Sequence, residues 1–254
     1  MAVVITITNQ KGGIGKTTTA STLISGLSER GYQVLGIDLD PQGNLGFSLG
    51  VEIEEAATIY DVFKNNVPLT RAICRTQYGD IIPSNILLSG AELEFNRPGR
   101  EFLLKYALAD IAHLYDYIII DTPPALNILT VNAYVASTHL IIPILPEILS
   151  VLAVSQLRET IEVVTEHYNK NLHILGILLT KYNGHLNLAR EVLELSQELA
   201  KQLNSRVFEA KIRQGVSVAE APAHCQSVLH YAPNSKPAAD YRAFVDEVIR
   251  LTTP

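Results

Sequence analysis

Between residues 9 and 20 the chain reads NQKGGIGKTTTA, a run with three glycines and two lysines. Gly12, Gly13 and Gly15 can take turn conformations that aim successive backbone N–H groups, including that of Ile14, at one anion. A helix beginning near Lys16 adds unpaired donors and the positive end of its dipole. In such a loop Lys16 bridges the β- and γ-phosphates of a nucleotide and the Thr17 hydroxyl binds Mg²⁺. Thr18 supplies a further phosphate contact. Two features depart from the G-x-x-x-x-G-K-[ST] pattern: Gln10 holds the place of its first glycine, and Lys11 is a second lysine. The other glycines still build a concave loop, so the site survives the missing one.

A phosphate loop needs a metal beside it, and metal needs oxygen. VLGIDLDPQGN carries Asp38 and Asp40, two residues apart and on one side if the strand continues. YDYIIIDTPP places Asp121 after three isoleucines. Mg²⁺ keeps several waters, so a carboxylate at a strand end can hold it through water.

These residues must be delivered by something regular. Apolar runs at 3–8, 33–38, 80–83, 117–120, 140–144, 172–179 and 207–209 read as strands, several of them continuously β-branched and so covered on both faces. Helical periodicity predicts helices at about 16–29, 100–114, 127–136, 150–168, 188–203 and 237–251. Alternation of this kind implies an α/β fold, a mostly parallel twisted sheet with helices on both faces. No repeat or linker divides the chain, so residues 1–254 read as one domain. Ligands in such sheets sit at the carboxyl ends of the strands, where the three aspartates fall.

Composition narrows the class. Hydrophobic residues make up 47 % and charged residues 18 %, which excludes a disordered chain. No apolar run approaches the ~18 residues of a membrane span, and the N-terminus reads as a strand, not a leader. The two cysteines, Cys74 and Cys225, lie far apart and predict reduced thiols in a cytosolic protein. Seven scattered histidines form no metal-site pattern. The net charge of −6 argues against a uniformly basic nucleic-acid coat but not against a local patch.

KGGIGKTT, IDLDPQGN and IIIDTPP together resemble the ParA/MinD group of deviant Walker ATPases, and within it the short, Soj-like ParA chromosome and plasmid partition proteins. IIPSNILLSGAELE, LIIPILPEILSVLAVSQL, ILLTKYN and VSVAEAPAH continue the likeness in the family order. The resemblance implies a P-loop NTPase fold and a Mg²⁺-dependent ATPase with ATP and Mg²⁺ as cofactors. It makes Lys11 the signature lysine, reaching across a nucleotide-sandwich homodimer to the partner's phosphates. Asp40 then orients the attacking water, Asp38 supports the metal, and Asp121 is the Walker B carboxylate. Thr122, Pro123 and Pro124 form a γ-phosphate-sensing switch after Asp121. The base pocket is expected at Lys181, Asn183, Ile212 and Arg213.

The same resemblance implies non-specific DNA binding by the ATP dimer, a ParB-like activator and a cytoplasmic, nucleoid-associated protein. The chain carries His185 and Ser217 where relatives place basic residues, which leaves Lys181, Arg190, Lys211 and Arg213 as substitutes. The acidic, polar ending DEVIRLTTP argues against a MinD-like membrane helix, and a first strand at residue 3 against a preceding helix-turn-helix. Two other roles stay open: positioning a protein cargo on the nucleoid, and a nucleotide-dependent scaffold that binds no DNA.

Overall fold

Strand β1 (Val3–Ile7) runs into the glycine loop and helix α1 (Lys16–Glu29), and β2 (Val34–Asp38) returns alongside. The computed structural model describes residues 2–253. Short helices α2 (Asn44–Ser48) and α3 (Ile59–Phe63) lead to the hairpin β3 (Cys74–Thr76) and β4 (Gly79–Ile82). Next come α4 (Ala91–Glu94), α5 (Leu103–Leu108), β5 (Tyr117–Asp121), α6 (Ile128–Ala136), β6 (His139–Ile144), α7 (Ile148–His167) and β7 (His173–Leu179). The chain ends with α8 (Asn187–Gln202), α9 (Val216–Glu220), α10 (Val228–Tyr231) and α11 (Lys236–Thr252).

The seven strands form one sheet in the order β3-β4-β2-β5-β1-β6-β7, parallel except for the β3–β4 pair. Parallel neighbours need crossover connections, and the helices supply them. Alternate residues of one strand face opposite layers. Ile5 and Ile7 pack with Leu23 and Leu27 of α1 and Phe244 and Val248 of α11. Val4, Ile118 and Ile120 pack on the other side with Tyr134 of α6, Leu157 of α7 and Val192 of α8. Burial on both faces is what the isoleucine runs require. The register pairs Asp121 with Ile7 on one side and with Asp38 on the other, so three strand ends lie level at one rim.

Three expectations change. Residues 207–209 form no strand: Val207 makes only an isolated bridge to Ile177. The Phe208 N–H still donates to the Ile177 carbonyl at 3.0 Å, but those of Glu209 and Ala210 donate to the buried Glu247 carboxylate at 2.9 and 3.0 Å, which interrupts the ladder. The predicted helix at 100–114 is broken into a 3₁₀ turn, α5 and a second 3₁₀ turn. Asn132 holds the break by accepting the Leu104 N–H at 3.1 Å and donating to the Arg100 carbonyl at 2.7 Å. The antiparallel edge strand β3 was not expected at all.

Candidate functional site

The glycine loop crosses the rim between β1 and α1. Gly15 caps α1 with φ 91° and no side-chain hydrogen bond, so the first-turn N–H groups stay available to an anion. Gly13 has φ 70°, a conformation closed to most side chains. Ile14 between them is fully buried and anchors the loop. Lys16 is buried, and its Nζ donates to the Lys11 carbonyl at 3.1 Å. Burial lowers its pKa, opposed by the charges of Asp121 and Asp40.

The aspartates divide their tasks. Asp121 is fully buried; its Oδ2 accepts from the Thr17 hydroxyl at 2.6 Å, whereas its Oδ1 finds no donor. An orphaned buried carboxylate oxygen is costly, and a metal-bound water would satisfy it. Thr17 and Asp121 therefore fit Mg²⁺. Asp38 does not join them directly: its oxygens accept the N–H groups of Asp40 and Leu45, both at 2.9 Å. Both its oxygens are committed to backbone, so Asp38 shapes the turn that carries Asp40. Asp40 is nearly buried and accepts the Gln42 N–H at 3.0 Å.

A cavity of about 590 Å³ opens over the loop. Residues Gly12 to Thr18, Asp40, Pro124, Lys181, Ile212 and Arg213 line it. So do Gln42, Asn44, Thr180, Gln214, Gly215, Val218, Ala219 and Tyr241, none of which sequence reasoning named. Gln42 and Asn44 had a signal, lying in the PQGN run after Asp40, as did Thr180 and Gln214 beside the expected Lys181 and Arg213 and Val218 and Ala219 within VSVAEAPAH; Gly215 and Tyr241 had none. Thr122 is buried with its hydroxyl donating to the Ile7 carbonyl at 2.9 Å; Pro123 is buried and Pro124 exposed. A cavity with a cationic, N–H-rich floor and a half-apolar far wall can hold a nucleotide tail-down.

A family model described as an AAA domain matches residues 2–174. The sporulation initiation inhibitor protein Soj of Bacillus subtilis is 39 % identical over 98 % of this chain and 98 % of its own length. The chromosome partitioning protein ParA of Myxococcus xanthus is 38 % identical over 99 % of this chain and 89 % of its own. The chain belongs to the ParA/Soj branch of that family. A crystal structure of cobyrinic acid a,c-diamide synthase from Mycobacterium smegmatis with bound ADP and magnesium is similar throughout. It has a TM-score of 0.85 and 36 % identity and covers 98 % of this chain and 95 % of that one.

In this ParA-family chain Lys11 is not free. Its Nζ donates to Glu147 Oε2 at 2.5 Å, an ion pair across the mouth of the loop that the sequence did not suggest. The base-pocket residues separate: Lys181, Ile212 and Arg213 line the cavity, whereas Asn183 turns back to accept the His185 N–H at 3.1 Å. The DNA candidates do not form one free patch either. Arg213 is clamped by Asp240, its Nε donating at 2.8 Å and its Nη2 at 2.5 Å. Lys181 reaches the Gly13 carbonyl, Arg190 the Gly184 carbonyl at 3.0 Å, and Lys211 the Glu209 carbonyl at 2.9 Å. His185 is exposed and Ser217 half-buried. Among the described residues no helix is long and apolar enough to cross a membrane.

The buried carboxylates predict a pH dependence. Burial pushes Asp121 up to about 7, with the Thr17 hydroxyl and Lys16 opposing and Asp40 adding. Burial and then the Asp121 charge raise Asp38 well above the carboxylate range. A raised native pKa means the folded state holds protons the unfolded state has lost. This contribution to stability is full below about pH 4 and fades as pH rises to about 7. In metal-free buffer the wild type is expected to lose Tm between pH 5 and 7.5, and Asp121→Asn to lose less. The gap is bounded by ~4 kcal/mol, at roughly 2–4 °C per kcal/mol for a domain of this size. Parallel thermal melts of the two proteins check this, and identical slopes would contradict it.

Proposed function

We propose that this chain is a ParA-type partition ATPase whose ATP-bound homodimer holds DNA without sequence preference and lets go on hydrolysis. The observation that carries the reading is the buried Lys16 beside the Thr17–Asp121 pair, whose second oxygen lacks a donor. Mg²⁺–ATP, when bound, supplies a γ-phosphoryl group for transfer to water. Lys16 and the loop N–H groups then bind the phosphates, and Thr17 and Asp121 hold the metal and its waters. Asp40, held at the cavity wall, orients the attacking water, and Thr122 to Pro124 couple the Asp121 strand end to the rim.

Dimerisation is supported by what surrounds the cavity. Ile86 and Leu87 after β4, Leu126 after β5 and Ile148, Leu149 and Leu152 after β6 are all exposed on segments leaving the carboxyl rim. Apolar side chains concentrated on one rim mark a contact surface. Lys11 stands at that rim, and a cation there offsets the charge of two facing nucleotides. A ParB-like activator and a nucleoid-associated, cytoplasmic location complete the reading.

The test is co-sedimentation with DNA under ATP, ADP and no nucleotide. Binding with ATP alone is expected; none under any condition would favour a protein scaffold. Arg213→Glu would break the Asp240 clamp, so Arg190→Glu and Lys211→Glu are the cleaner probes. Each is expected to weaken DNA binding in all sequences and lower the salt slope by about 1, with dimerisation intact. Unchanged affinity in both would move the DNA surface elsewhere.

A further inference from the structure

Lys181 follows the edge strand β7 with φ 51°, a left-handed conformation that a residue bearing a side chain rarely adopts. Its Nζ donates to the Gly13 carbonyl at 3.0 Å, across 168 residues of sequence. The preceding residue repeats the contact: the Thr180 hydroxyl, buried, lies 2.8 Å from the Ile14 carbonyl and 3.1 Å from that of Ile144. A peptide unit is planar and trans, so fixing a carbonyl fixes the next N–H in the opposite direction. Holding Gly13 O on the Lys181 ammonium fixes the Ile14 N–H in the opposite direction, and holding Ile14 O on Thr180 does the same for the Gly15 N–H.

We propose that Lys181 is a positioning residue for the phosphate loop, acting on the β-phosphate subsite through the Gly13 carbonyl. The proposal rests on the nucleotide reading above and deepens it. The backbone explains the unusual conformation. The Tyr182 N–H must donate to the Ile212 carbonyl at 2.9 Å to hold the far wall of the cavity. A left-handed turn at Lys181 lets the chain keep that bond while the lysine doubles back over the loop. One short segment thus ties the phosphate floor to the far wall.

The experiment measures the affinity of Mg²⁺ complexes of ATP and ADP, and of AMP, by calorimetric competition, for wild type, Lys181→Met and Lys181→Arg. Because the loop N–H groups serve the phosphates beyond the first, Lys181→Met is expected to raise Kd for ADP and ATP by the same factor, roughly three- to tenfold. AMP affinity and kcat at saturating ATP should stay within about twofold, since no bond to the first phosphate or the water is removed. Lys181→Arg, able to reach the same carbonyl, should recover most of the loss. Equal weakening of AMP would make Lys181 a base or ribose contact and overturn the proposal. So would weakening of ATP alone, which signals a γ-phosphate contact, a fall in kcat alone, or no change in Lys181→Met. A wild type that binds no ADP would overturn the nucleotide reading and this inference with it; a wild type that binds ADP beside an unaffected Lys181→Met overturns this inference alone.

Discussion

Lys16→Ala is expected to weaken ATP binding by roughly two to three orders of magnitude and to reduce hydrolysis to background. The size follows from what the side chain does. A buried ammonium reaching two phosphates makes charge-assisted hydrogen bonds, each about 1.5–3 kcal/mol, in a site with little water to replace it. The protein has already accepted a cost to keep it there, since burial depresses its pKa and only Asp121 and Asp40 oppose that. Alanine also strips Asp121 of the Lys16 charge that opposes the rise in its pKa, so the metal subsite loses that balance. Nucleotide titration and phosphate release measure the two effects together. ATP affinity within about tenfold of wild type would contradict the assignment, because a lost surface contact costs no more than that.

Asp40→Ala is expected to leave ATP binding nearly intact while slowing hydrolysis by about 10²- to 10⁴-fold, the range for a removed group that positions or accepts a proton. The geometry separates it from Asp38. Asp38 spends both oxygens on backbone N–H groups, so its removal would collapse the turn and the fold around it. The Asp40 side chain makes one hydrogen bond, accepting the Gln42 N–H, and lines the cavity, so its loss should spare the fold. The ATP-bound state should therefore accumulate as a dimer in Asp40→Ala. Single-turnover phosphate release at saturating ATP gives the rate directly. Wild-type turnover would remove Asp40 from the mechanism.

The parts legible in the sequence are those encoded locally. Runs such as YIIID and HLIIPI have no polar face to offer, so they must be central strands, and β5 and β6 are. The loop glycines, Lys16 and Thr17 announce themselves by spacing, and Asp121 by its place after an apolar run. β3 was hidden because CRT is short, half-exposed and lacks alternation. Residues 207–209 looked like a strand because Val and Phe are good strand formers. The carboxylate that stops the ladder lies 38 residues away in Glu247, beyond any local signal. The partners that constrain the site were equally remote. Glu147 meets Lys11 across 136 residues, and Lys181 meets Gly13 across 168. Charge alone proposed Arg213 as a DNA contact; only the fold reveals Asp240 clamped around it.

The proposed ATP-bound dimer depends on Lys11. Its present partner, Glu147, is an exposed carboxylate worth little to stability, so exchanging it for phosphate costs about 1 kcal/mol or less. The mass of the wild type and of Lys11→Ala, determined by light scattering with saturating ATP and with none, decides the matter. ATP is expected to double the mass of the wild type, whereas Lys11→Ala is expected to bind ATP yet stay a monomer. A wild type that remains monomeric with ATP bound, or a Lys11→Ala that dimerises as readily, would contradict it.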